Sequence, residues 1–334
     1  MNKLKVSVIG LGVMGQQHLR IYSEMANVEV VSVYDVYQEH AEKVAAQYGT
    51  KADRDLAELF SREDLDAVSI CTSDDQHHEL AVMACKYGKH VLIEKPLADD
   101  LKEAEDIVRQ VKESGIKMMV GHTLRWDPRY VQARNAVGAG KIGEVVHLYA
   151  RRNNSYANGR RLKGRTSVAM FLGVHDIDAI EWVTGERIVK VYAVEVRKRM
   201  SDLGVADAIQ ATFQFASGAV GQYETSWVLP DGYSDIDARL DIIGTDGAVN
   251  VEVFDQKISV FSNGSLTYPD TAYGVEMYGR LTGIMKEEIT SFVLSVLEDQ
   301  PLPISVEEAC RSVRIVHCLE QSLATGAPVS VESM

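Results

Sequence analysis

At 334 residues, with 46% hydrophobic and 25% charged residues, the chain has material for two ordinary domains, each with its own core. A net charge of −13 argues against a broad nucleic-acid or anionic-membrane surface, because phosphates are repelled at long range. The four cysteines, Cys71, Cys85, Cys310 and Cys318, form no C-x-x-C pair, which suits a reduced, cytoplasmic protein with buried thiols.

The amino terminus lacks a long apolar stretch and a small-residue cleavage site, so it reads as a first strand and not as a signal peptide. No apolar run approaches the ~20 residues that span a bilayer. Residues 5–9 predict a strand ending in glycine, 16–25 a helix, 28–35 a second strand and 38–48 a second helix. Strands follow at 68–72, 90–96 and 117–122, with helices at 76–87 and 99–114 between them. Strands alternating with helices imply βαβ units and a doubly wound parallel sheet, an α/β Rossmann domain over residues 1–123. Beyond it, helices at 128–139 and 168–183 and a strand at 143–152 lead into long alternating strands near 187–199, 205–216, 218–228, 236–243 and 248–261. Turn signals such as Ser217-Gly218 separate several of them, as in an antiparallel meander. Helices at 275–298 and 305–324 close an α+β domain over 124–334. Tyr273, Met277, Tyr278 and Met285 have helical spacing and read as core or rim packing.

Gly10-Leu11-Gly12-Val13-Met14-Gly15 follows the first strand and opens a helix. There the first glycine permits a tight turn, the second lets the backbone approach a pyrophosphate, and the third lets helix and strand pack closely. The helix start offers N–H groups and a positive dipole end to phosphates. Asp35 closes the second strand, 20 residues after Gly15. An acid there accepts from ribose hydroxyls and repels a 2′-phosphate, which predicts NAD and disfavours NADP. Gly10, Gly12, Val13, Met14, Gly15 and Asp35 are therefore the expected dinucleotide contacts.

Glu94-Lys95-Pro96 ends the fourth strand, where doubly wound sheets place ligands. The Lys95 ammonium suits a substrate oxygen. His175, beside Asp176 and Asp178, offers an imidazole able to accept a hydroxyl proton while hydride leaves the same carbon. No His, Cys and Asp cluster has metal-ligand spacing, so no metal is predicted.

Together Gly10-x-Gly12-x-x-Gly15-x-x-His18, the Cys71-to-His77 stretch, Glu94-Lys95-Pro96, Arg125-Trp126-Asp127-Pro128 and His175-x-x-Asp178 resemble the glucose–fructose oxidoreductase and inositol dehydrogenase (Gfo/Idh/MocA) family over the whole chain. The resemblance implies a Rossmann domain followed by a domain with an open, mainly antiparallel sheet, and a homodimer or homotetramer built through that sheet. It implies Lys95 as the catalytic or substrate-binding lysine and His175 as the proton-transfer histidine. It sets Thr72, Ser73 and His77 on the nicotinamide side, Glu94 and Lys95 against the cofactor, and Arg125 near the active-site floor. The chain departs at Phe171, where the family usually has Asp four residues before the histidine, and at Ser73, often Pro.

From Arg151 to Arg165 there are six cations and no acid, interleaved with Asn153, Asn154, Tyr156 and Asn158. Arg152, Tyr156 and Arg160, with Lys95, His175 and Asp176, are the expected substrate contacts, and an anionic sugar derivative fits the arginines. A solvated or subunit-contact loop is the alternative. Three functions remain open: reversible oxidation of a secondary hydroxyl of a sugar, inositol or sugar derivative; glycoside cleavage or elimination through transient oxidation; and dinucleotide or sugar sensing without chemistry.

Overall fold

Runs of β-branched residues bounded by glycine and polar turns form the first sheet of the computed structural model, which describes residues 3–230, 236–253, 258–262 and 265–333. Strands β1 (Leu4–Ile9), β2 (Val28–Tyr34), β3 (Lys51–Ala52), β4 (Ala67–Ile70), β5 (His90–Ile93) and β6 (Met118–Val120) are parallel, in the order β3-β2-β1-β4-β5-β6. Helices α1 (Val13–Ser23), α2 (Gln38–Tyr48), α3 (Leu56–Ser61), α4 (His77–Lys86) and α5 (Leu101–Ser114) supply the crossovers. All four residues of β4 are buried, as expected for a parallel strand covered on both faces. The sequence pattern does not reveal β3 or α3, since two residues are too few to show alternation.

The next elements are α6 (Pro128–Gly138), β7 (Val145–Ser155), α7 (Tyr156–Arg161), α8 (Val174–Thr184), β8 (Ile188–Val196), β9 (Ala208–Phe215), β10 (Val220–Leu229), β11 (Ile236–Gly244) and β12 (Ala248–Glu252). Hairpins β13 (Val260–Ser262)–β14 (Ser265–Thr267) and β15 (Val275–Met277)–β16 (Arg280–Thr282) precede α9 (Ile284–Leu297), α10 (Val306–Thr325) and β17 (Val329–Ser330). The larger sheet runs β12-β11-β7-β10-β9-β8-β17. Its neighbours are antiparallel except β7 and β10, so the sheet is mainly antiparallel as expected, while the meander is interrupted by β7 between β10 and β11. The strand expected over 248–261 ends at Glu252 and strand structure returns at Val260; residues 254–257 lie outside the described residues.

The chain divides into residues 1–122 with 273–311, and 123–272 with 312–334. A sequence boundary at 123/124 does not anticipate the return of 273–311. That segment joins the first unit because α9 buries Ile284, Met285, Ile289, Phe292 and Val293 and packs on α1, β1 and β5. The helix expected from 275 begins at Ile284, and Met277 and Tyr278 are exposed on a hairpin turn instead of packed. Consecutive positive φ angles at Tyr278 and Gly279, 51° and 77°, favour that tight turn over a helix.

All four cysteines are buried and none is in a disulfide among the described residues. Among the described residues no helix is long and apolar enough to cross a membrane, and no three His, Cys, Asp or Glu side chains are placed to hold a metal ion.

Candidate functional site

In the first unit the glycine loop lies where the strand order reverses, between β1 and its neighbours β2 and β4. Gly10 has φ +86°, and a Cβ there would meet the Cys71 carbonyl and the Thr72 nitrogen at 2.8–2.9 Å. A Cβ on Gly15 would lie 1.8 Å from the Gly10 oxygen, so α1 touches the loop backbone itself. A Cβ on Gly12 would meet nothing within 4 Å, and no side chain caps the start of α1. Val13 is exposed beside it. The result is an open cradle of backbone N–H groups at a helix start, the geometry that receives a diphosphate.

Asp35 is already fixed in this loop: its carboxylate accepts from the N–H of Leu11 at 2.8 Å and of Tyr37 at 2.9 Å. These bonds order the loop and leave further acceptor capacity on both oxygens for ribose hydroxyls. Thr72 follows β4, and its buried hydroxyl has no protein partner among the described residues. An orphaned hydroxyl beside the open cradle suits a bound nicotinamide dinucleotide. Ser73 is half-buried, and its side chain caps nothing.

Glu94-Lys95-Pro96 leaves the end of β5, with the Lys95–Pro96 bond cis. His77 at the start of α4 is buried, and its Nδ1 lies 2.7 Å from the Pro96 carbonyl oxygen. That oxygen can only accept, so Nδ1 carries the proton. Burial holds the ring's pKa below its usual value, against the favourable pull of the Pro96 carbonyl. His77, expected on the nicotinamide side, thus clamps the loop after Lys95. Lys95 is half-buried and Glu94 is buried.

Beneath Glu94 runs a buried chain of Tyr22, Ser69 and His18, to which the sequence motifs attach no role. Tyr22 donates to Ser69 at 3.4 Å, Ser69 Oγ meets His18 Nδ1 at 2.7 Å, and His18 Nε2 meets Glu94 Oε1 at 3.2 Å. Burial disfavours a charged His18, but Cys71 and Glu94 outweigh it and raise the ring's pKa well above its usual value. Burial likewise opposes the Glu94 charge, yet hydrogen bonding to His18 holds the carboxyl below its ordinary range. The Gly15-x-x-His18 spacing was the available signal, since position 18 falls on the inner face of α1.

In the second unit, His175 is half-buried at the start of α8, just after a π-helical turn over Ala169–Gly173. Wide turns of this kind often mark functional positions. Phe171 sits in that turn, so it is not one regular α-helical turn from His175. Its ring lies 5.8 Å from that of Trp227, whose Nε1 donates to the Ala206 carbonyl at 3.0 Å.

The neighbouring acids of α8 are each taken by an arginine. Arg152 on β7 grips Asp176 at 2.8 and 3.0 Å, and Arg125 grips Asp178 at 2.9 and 2.6 Å; all four residues are buried. Burial pushes Asp176 above the usual carboxylate range, although Arg152 opposes it. Arg152 and Asp176, expected on substrate, and Arg125, expected near the active-site floor, thus form with Asp178 two buried ion pairs that hold α8. Their guanidinium forks already face carboxylates, the geometry bidentate pairing favours. Tyr156 and Arg160 are more open: Arg160 pairs with Asp202 at 2.6 Å, and the Arg199 guanidinium lies 3.6 Å from the centre of the Tyr156 ring.

Comparison with known proteins matches residues 4–122 to the GFO/IDH/MocA oxidoreductase model with its NAD-binding Rossmann fold, and residues 130–250 to the GFO/IDH/MocA C-terminal domain. A 4-carboxy-2-hydroxymuconate-6-semialdehyde dehydrogenase from Sphingobium sp. is 32% identical over 65% of this chain and 70% of its own length. Inositol 2-dehydrogenase from Rhizobium meliloti is 26% identical over 98% of this chain and 99% of its own. The crystal structure of scyllo-inositol dehydrogenase from Lactobacillus casei with NAD(H) and scyllo-inositol superposes with a TM-score of 0.86. It covers 99% of this chain and 100% of its own at 21% identity, a likeness of fold.

Proposed function

Because the chain belongs to the Gfo/Idh/MocA family of oxidoreductases, we propose that it moves hydride between NAD and a secondary hydroxyl of a sugar, an inositol or a derivative of one. One observation carries this reading: the open glycine cradle, Asp35 and Glu94-Lys95-Pro96 all stand at the carboxyl ends of strands in one parallel sheet. The nicotinamide supplies the hydride acceptor. Lys95 binds the reacting oxygen through its ammonium group, and His175 takes the hydroxyl proton. Asp35, held by Leu11 and Tyr37, disfavours a 2′-phosphate and so favours NAD over NADP.

Tyr156 and Arg160 are assigned to an anionic group on the substrate. The carboxylated semialdehyde in the name of the Sphingobium relative supports that choice, as do the inositol dehydrogenases for the polyol core. A second reading, elimination or glycoside cleavage through transient oxidation, draws on Phe171, a hydrocarbon ring where the family resemblance expects a carboxylate. The same proposal has the protein act in the cytoplasm as a homodimer or homotetramer.

The test is a thermal-shift screen of sugars, inositols and their carboxylated or phosphorylated derivatives with NAD, followed by NADH formation on each stabilising compound. Net NADH production with a hydroxyl substrate is expected, falling at least about 100-fold in Lys95→Met while NADH still binds. Product release with no NADH selects the second reading. Full turnover in Lys95→Met overturns the role of Lys95.

A further inference from the structure

Buried positions 284, 285, 288, 289, 292 and 293 form one stripe along α9, and five of them are apolar. The sixth is Glu288. It is 0% exposed, and among the described residues neither carboxylate oxygen has a hydrogen-bond partner. Helix α9 packs on α1, β1 and β5, so Glu288 enters the core of the first unit where α1 carries His18 and β5 leads into Glu94.

The charged groups that act on Glu288 are Glu94 and His18; Tyr22 and Cys71 stand around them, and Lys95 and His77 act in turn on Glu94. An ionised carboxylate here would lack a donor and face the like charge of Glu94. Burial pushes the Glu288 carboxyl well above the usual carboxylate range, and Glu94 adds to the shift while His18 opposes it. Glu94 shows the contrast, since its bond to His18 keeps it ionised.

We propose that Glu288 is a positioning residue built into the fold as a neutral, proton-holding acid, leaving Glu94 as the single carboxylate that holds His18 beneath Lys95. The inference rests on the reading of Lys95 as the residue that meets substrate. Loss of the Glu288 proton would place two carboxylates against one imidazole and disturb the strand end that presents Lys95.

Linkage gives the sign. A carboxyl whose folded pKa lies above its unfolded value stabilises fully only below the ordinary carboxylate range, and that contribution is lost as pH rises toward the folded value. Glu288→Gln stays neutral throughout. In the NAD-bound protein, the melting temperature of Glu288→Gln relative to wild type is expected to climb by at least about 2 °C between pH 5 and pH 9. The alkaline decline of kcat is expected to be at least threefold weaker than in wild type.

A difference in melting temperature that is flat or shrinks with pH overturns the proposal. A thermal difference that grows while the alkaline limb of kcat stays in place overturns the positioning role. Glu288→Met, neutral and of similar length, is the second variant, and failure of both to fold also overturns it, because a site needing only a neutral group accepts one of them. The thermal measurement needs no substrate, so it judges Glu288 even if no hydroxyl compound is turned over.

Discussion

A guanidinium buried against a carboxylate is stable only as a pair, and α8 is held by two such pairs. In the sequence Arg152 stands among the expected substrate contacts, within a six-cation stretch, and the family resemblance sets Arg125 near the active-site floor. In the fold both forks are filled by Asp176 and Asp178, separated from their arginines by 24 and 53 residues. Removing one partner strands the other, at about 3–5 kcal/mol for a buried pair. Arg152→Met is therefore expected to lower unfolding free energy by several kcal/mol in urea titration, and Asp176→Asn in that background to recover part of it. Equal stability of wild type and Arg152→Met would mean that the pair does not anchor the helix. Which arginine is free to meet an anion was not legible, because charge type is local while pairing depends on distant strands and helices.

At the level of elements, the glycine loop separates two roles that one motif combines. Gly15 has no room for a methyl group beside the Gly10 oxygen, whereas Gly12 faces open space. Gly15→Ala is expected to destabilise the first unit by about 1–3 kcal/mol through overpacking. Gly12→Ala is expected to keep wild-type melting behaviour without cofactor and to lose at least about tenfold in NAD affinity, some 1.4 kcal/mol. Calorimetric titration and apo-protein melting separate the two, and a Gly12→Ala protein with unchanged affinity would place the dinucleotide elsewhere. The loop was readable because β1, the turn and α1 are contiguous in sequence. The π turn before His175 was not, since nothing in Ala169–Gly173 departs from an ordinary apolar helical run.

At the scale of the whole chain, the first unit is closed by a helix that arrives about 160 residues after the last strand of its parallel sheet. The apolar side chains of α9, Ile284, Met285, Ile289, Phe292 and Val293, each contribute roughly 1.5–3 kcal/mol when fully buried. Their loss is comparable with the roughly 5–15 kcal/mol of net stability that folded proteins have. A fragment of residues 1–123, a natural cut from the sequence, is thus expected to bind a hydrophobic dye and to melt without a cooperative transition. A sharp, dye-free transition would show that α9 is dispensable. By itself the sequence determined the parallel βαβ order, the dinucleotide loop with Asp35 and the family, because two- and four-residue periodicities and turn glycines act between near neighbours. Only the tertiary structure decided that β10 runs parallel to β7, that α9 returns to the first sheet, and that His18, Glu94 and Glu288 share one buried site. Those outcomes depend on which distant surfaces exclude water together, and no local pattern encodes that choice.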